Sequence, residues 1–147
     1  MKPTPCALIA LLILSLLFTA CKKKELDHDV EDECEITVAA LAGKYKIVAA
    51  SYVEASGDRD VLHEIYDDCE LDDINELKAD KTFVYTDAGE KCKPDMSESG
   101  TWNVNANSRI LMLNAGTSTI LSFTCKELVV TYRDGADNIV KETYRKQ

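Results

Sequence analysis

The chain has 147 residues, with 26 Asp and Glu against 17 Lys and Arg, for a formal charge of −9. That length supports one domain with a sizeable core. The acidic excess argues against nucleic acid and against electrostatic attraction to anionic lipid. It implies no cationic partner either, because soluble secreted domains carry such charge for solubility alone.

In chain order, residues 1–20 read as a targeting segment. Lys2 is followed by an apolar run from Ala7 to Leu14 that resumes at Leu16, Leu17 and Phe18. The run is too short for a permanent membrane span. Phe18-Thr19-Ala20-Cys21 resembles the lipobox of bacterial lipoproteins, with Phe18 where Leu is usual. The resemblance implies cleavage before Cys21, acylation of that cysteine, and a protein anchored to the membrane without spanning it. Residues 21–35 are then a lipidated cysteine and a flexible acidic tether, and 36–147 the folded domain. Three lysines open the tether ahead of its acids, which leaves surface and periplasmic orientations both open.

Of six cysteines, Cys6 leaves with the signal and Cys21 carries lipid. Cys34, Cys69, Cys92 and Cys125 remain, in a chain bound for an oxidising compartment. Four cysteines allow three pairings. None sits in a Cys-x-x-Cys, and His28 and His63 are the only imidazoles. Structural disulfides are expected, and no metal centre.

Residues 36–42 are Ala-rich and stop at Gly43, which predicts a helical turn or two. Residues 45–53 are β-branched and aromatic and read as the first strand. Residues 61–66 have no clear period and read as irregular, with His63 solvated beside Glu64. Seven more strands follow over 74–78, 82–86, 100–104, 109–114, 119–125, 127–133 and 139–145, bounded by turns rich in Asp, Asn, Gly and Ala. The connection between Cys125 and Glu127 is tight enough to read as a bulge in one ribbon. The expected fold is all-β: an eight-stranded antiparallel up-and-down meander barrel with a short N-terminal helical segment.

Alternation assigns the faces. Leu77, Phe83, Tyr85, Trp102, Val104, Leu111, Leu113, Leu121, Phe123, Leu128, Val130 and Tyr132 share one parity and should point inward. Their neighbours Lys78, Thr82, Thr86, Asn103, Arg109, Ser122, Thr131 and Arg133 are polar, as on a solvated outer face.

Asp67, Asp68, Glu70, Asp72 and Asp73 form the densest acidic cluster of the folded part. They lack the glycine and spacing of a calcium loop, so a solvated loop is expected there. The serines have no evident histidine partner and no Gly-x-Ser-x-Gly occurs. No catalytic residue is assigned.

Gly43-Lys44-Tyr45, Cys69-Glu70-Leu71-Asp72-Asp73, Ala79-Asp80-Lys81-Thr82-Phe83, Cys92 and Ser99-Gly100-Thr101-Trp102 together resemble the lipocalin-like domain of small bacterial lipoproteins. The resemblance covers about residues 41–144 and implies that Cys69 pairs with Cys92. Tyr45 stands where that family usually has tryptophan, and it implies Arg145 as the late arginine that packs on it. Two disulfides are expected in all, Cys69–Cys92 and Cys34–Cys125. If Cys125 points inward with Phe123, the second ties the N-terminal segment across one barrel end.

The function expected is that of a non-enzymatic, lipid-anchored binding lipoprotein of a Gram-negative outer membrane. It would take a small apolar or aromatic ligand, or an envelope protein, at the barrel mouth or loops. The alternatives are an accessory lipoprotein with a filled barrel and, more distantly, a secreted hydrolase. No cofactor is expected, and the protein should be monomeric. Strands of five to seven residues and five inward aromatics predict a packed barrel with at most a shallow cavity near one mouth. Tyr85, Trp102 and Tyr132 are the residues expected to line it, since Tyr and Trp carry polar tips that tolerate water.

Overall fold

The computed structural model describes residues 33–147; the expected signal segment, the expected lipidation at Cys21 and most of the expected tether lie outside that range. Helix α1 (Val38–Leu41) is a single turn whose N-cap, Thr37, accepts the Ala40 N–H at 3.1 Å. It leads into β1 (Gly43–Tyr52). Then come β2 (Arg59–Asp60), α2 (Leu62–Ile65), a 3₁₀ turn at Asp68–Glu70, β3 (Ile74–Leu77), β4 (Thr82–Thr86), β5 (Glu98–Asn105), β6 (Ile110–Leu113), β7 (Gly116–Phe123), β8 (Glu127–Arg133) and β9 (Ile139–Lys146).

Strand order runs β1-β3-β4-β5-β6-β7-β8-β9, and β9 pairs back onto β1 over Tyr45–Tyr52. Eight antiparallel strands thus close a barrel and leave no open edge. The two-residue β2 occupies the edge of β1 that β3 leaves free, at Ser51 and Tyr52. Segment 61–66, expected to be irregular, contains α2. Four residues hold no period that a sequence pattern can register.

The hairpin turns need a left-handed residue each, and non-glycine side chains supply several of them: Lys81, Arg109, Cys125 and Asp137 all have positive φ. Cys125 therefore sits in the β7–β8 turn, exposed, instead of sharing the inward parity of Phe123. This turn separates two antiparallel strands and is no bulge within a ribbon.

Inward positions are as alternation implies for Leu77, Phe83, Trp102, Leu111, Phe123, Leu128 and Val130, all buried. Leu121 is the exception, 48 % exposed, while Ile120 is 1 % exposed. The register slips between Ile120 and Ser122, so Leu121 is the extra residue of a β-bulge and turns outward. A second slip, between Ile47 and Ala49, moves burial on β1 from Ile47 to Ala50.

One end of the barrel is sealed. Ile36 and Leu41 pack with Tyr45, Trp102 and Phe123 in the main core, each large side chain stabilising by roughly 1.5–3 kcal/mol through burial. Tyr45 donates its hydroxyl to the Leu41 carbonyl at 2.7 Å, and Trp102 Nε1 donates to the Lys78 carbonyl at 2.8 Å. The cation over Tyr45 is Lys146, not Arg145. Lys146 Nζ lies 5.6 Å from the Tyr45 ring and 6.0 Å from the Phe123 ring, and donates to the Ala40 carbonyl. Arg145 falls on the outward parity of β9 and pairs with Glu127 at 3.2 Å. Cys34 is bonded to Cys125, and its N–H donates to the Phe123 carbonyl at 2.7 Å. The chain is thus fixed to this end from residue 34, two residues before the domain boundary read from composition.

Candidate functional site

The opposite end is only partly covered. Segment 53–73, with α2 and the 3₁₀ turn, lies there, and so does the 87–97 loop between β4 and β5. The Cys69–Cys92 disulfide joins the two. Beneath them is a crevice of about 320 Å³ lined by Tyr66, Glu70, Asn75, Phe83, Tyr85, Met96, Glu98 and Tyr144. Met96 is half exposed, an apolar lip over the opening. Asn75 and Tyr144 also line an interior cavity of about 80 Å³, walled otherwise by Leu77, Leu111, Leu113, Leu128, Val130, Tyr45, Ser118 and Glu142. The barrel is therefore packed below its mouth, since cavities that take drug-sized ligands run to roughly 300–1,000 Å³.

Glu142 is the chemical centre of this end. It projects inward from β9 and is 3 % exposed. Its Oε1 accepts the hydroxyls of Tyr66 at 2.7 Å and Tyr132 at 2.8 Å, and its Oε2 that of Tyr144 at 2.7 Å. Three donors from three segments converge on one buried carboxylate, which offsets the cost of removing its charge from water. Burial, followed by the Glu142 charge, pushes the phenols of Tyr66, Tyr132 and Tyr144 well above their ordinary range. They stay neutral and serve as fixed donors.

Tyr85 lines the crevice and donates its hydroxyl to Asp73 Oδ2. Burial, followed by that bond, raises its phenol as well. Tyr132 belongs to the Glu142 network behind the crevice and does not line it. Trp102 is 2 % exposed in the core toward the sealed end, where its indole N–H finds a carbonyl, so it is not a mouth residue.

The acidic loop divides. Asp67 and Asp68 are exposed, and His63 sits 3.3 Å from Asp68 on the surface. Asp73, by contrast, is 1 % exposed and so not solvated. Its Oδ1 accepts the Ala88 N–H at 2.7 Å, which ties it to the loop beyond β4.

No motif in the local sequence marks Tyr66, Tyr144, Asn75 or Glu142 as site residues, nor the buried Asp87. The readable signal was on β9, where Val140, Glu142 and Tyr144 share the inward parity, with a carboxylate at its centre.

The two disulfides fit an extracytoplasmic, oxidising compartment. Among the described residues no helix is long and apolar enough to cross a membrane. The model of one protein family, described as a lipocalin-like domain, matches residues 41–130, more than half of the chain. No curated protein and no solved structure matches it.

Proposed function

Since this chain belongs to the lipocalin-like domain family, whose members are generally binding proteins, we propose that it is a non-enzymatic binding protein for a small aromatic or apolar compound taken at the open mouth. The observation that carries this reading is the crevice itself. Tyr66, Phe83, Tyr85, Tyr144 and Met96 present rings and a thioether to about 320 Å³ of open space. The carboxylates of Glu70 and Glu98 in its lining disfavour anionic ligands, fatty acids among them. An interior cavity of about 80 Å³ leaves no room for a long acyl chain, a retinoid or haem. Lipid anchoring through Cys21, in the outer membrane of a Gram-negative envelope, is part of the same proposal and is supported by the lipobox-like Phe18-Thr19-Ala20-Cys21.

A ligand of about seven to twelve heavy atoms in such a crevice should bind with Kd on the order of 10–1,000 µM. NMR titration with phenol, indole and benzylamine should move signals of Phe83, Tyr85, Met96 and Tyr144 saturably. Palmitate, retinol and haem should not bind stoichiometrically. A nanomolar complex with any of these three, or no saturable shift with any of the small aromatics, would refute the reading. For the anchor, labelled fatty acid should appear on the wild type and be lost in Cys21→Ala; equal labelling of both rules it out.

A further inference from the structure

We propose that Asp73 and Asp87 form a binding site for a hard divalent cation of the calcium type, set between the segment before β3 and the loop after β4. Both side chains are withdrawn from solvent, Asp73 at 1 % and Asp87 at 0 % exposure. One carboxylate oxygen of each and the Cys92 sulfur all lie within 4.8 Å of one another. That sulfur is committed to the bond with Cys69, so the donors on offer are oxygens alone.

Three of the four oxygens have partners. Asp73 Oδ1 accepts from Ala88 N–H and Oδ2 from Tyr85 O–H, while Asp87 Oδ1 accepts from Cys92 N–H at 3.3 Å. Asp87 Oδ2 is buried with no hydrogen-bond donor. The neighbouring Asp72 holds the same loop by accepting the Glu90 N–H at 3.0 Å, and its Oδ1 is likewise buried without a donor. A buried orphan carboxylate oxygen costs the full desolvation of that group. The ion pairs of Arg59, His63, Arg109, Arg133, Lys141 and Arg145 lie elsewhere.

A cation resolves this. Calcium holds oxygens at roughly 2.3–2.6 Å, so two ligands of one ion stand up to about 5 Å apart, which accommodates the observed limit. Oxygen-only donors select calcium or magnesium over zinc or copper. With only two carboxylates to supply charge, the affinity belongs in the roughly 10⁻⁴–10⁻³ M range of extracellular calcium modules. Because Asp73 also receives the Tyr85 hydroxyl, an ion there would fix a wall of the mouth as well as the loop.

The test uses the mature, disulfide-bonded protein and calcium chloride. Equilibrium dialysis with radioactive calcium should give one ion per chain, and 10 mM calcium should raise the wild-type Tm by about 5 °C. The Asp87→Asn variant should lose both effects. Amide NMR shifts on calcium addition to the wild type should centre on Ala88 and Cys92, which keeps the idea testable should the variant fail to fold. No stoichiometric binding up to 10 mM, shifts centred elsewhere, or an Asp87→Asn protein that binds as the wild type does would each overturn the assignment.

Discussion

Replacing Glu142 separates the two things it does, carrying a charge and accepting three hydrogen bonds. In Glu142→Leu the hydroxyls of Tyr66, Tyr132 and Tyr144 lose their acceptor at once. Leaving a buried donor unmade costs about 1–3 kcal/mol. Tyr66 and Tyr144 border the mouth crevice, where water can replace part of the loss. The sum is therefore about 3–6 kcal/mol, a large share of the roughly 5–15 kcal/mol a domain has. Glu142→Gln keeps an oxygen for Tyr66 and Tyr132 and turns an amide N–H₂ toward Tyr144, while removing a charge from a dry site. Weaker bonds and relieved desolvation offset each other, so about 1–2 kcal/mol is expected. Urea denaturation followed by Trp102 fluorescence reads both values through the shift in midpoint at constant slope. If Glu142→Leu lost less than 1 kcal/mol, or less than Glu142→Gln, the carboxylate would not be the hub of this end.

The raised phenols of Tyr45, Tyr66, Tyr132 and Tyr144 predict alkaline unfolding. Unfolded tyrosines lose protons from about pH 10 and folded ones do not, so stability is complete below pH 10 and falls above it by about 1.4 kcal/mol per pH unit for each ring; tyrosinate absorbance at 295 nm should rise together with loss of far-UV circular dichroism, and free titration of all rings in the folded state would contradict this. Cys34→Ser with Cys125→Ser should cost about 4.6 kcal/mol in the chain-entropy model for a separation of 91 residues, against about 3.4 kcal/mol for removing Cys69–Cys92 at a separation of 23; the reverse order in thermal melts would argue against the loop-length account. Ile120→Ala should lose about 2–5 kcal/mol while Leu121→Asp stays within about 0.5 kcal/mol, and equal losses would place the bulge elsewhere.

The barrel was legible because the strands alternate apolar and polar residues and the hairpin turns, all but the one at Cys125-Lys126, are written in Asp, Asn, Gly and Ala. Two-residue periodicity carries that information as far as the first bulge and no further. Leu121 looks like a core residue in any count of alternate positions, and only the slip against β8 shows that Ile120 has taken its place. Arg145 and Lys146 are adjacent, and which of them reaches Tyr45 depends on a strand's facing, which one residue inverts. The mouth was harder still. Trp102 is amphipathic and fits a wet rim by chemistry, but Lys78 is a strand away in space and offers it a carbonyl. Tyr66 caps a four-residue helix that carries no pattern, and Glu142 reads as a surface acid until three hydroxyls are seen to meet it. Asp73 and Asp87 are 14 residues apart, and nothing local marks them as neighbours.

The bond between Cys34 and Cys125 has a mechanical consequence. A pull on the chain ahead of residue 34 reaches the barrel first at the β7–β8 turn and not through α1 into β1. The load enters at the sealed pole through a covalent link, and the β1–β9 seam that closes the barrel lies outside its direct path. Motion of whatever precedes the domain is therefore shunted away from that seam. The mouth, held to its own cover by the separate Cys69–Cys92 bond at the other pole, stays mechanically isolated from it.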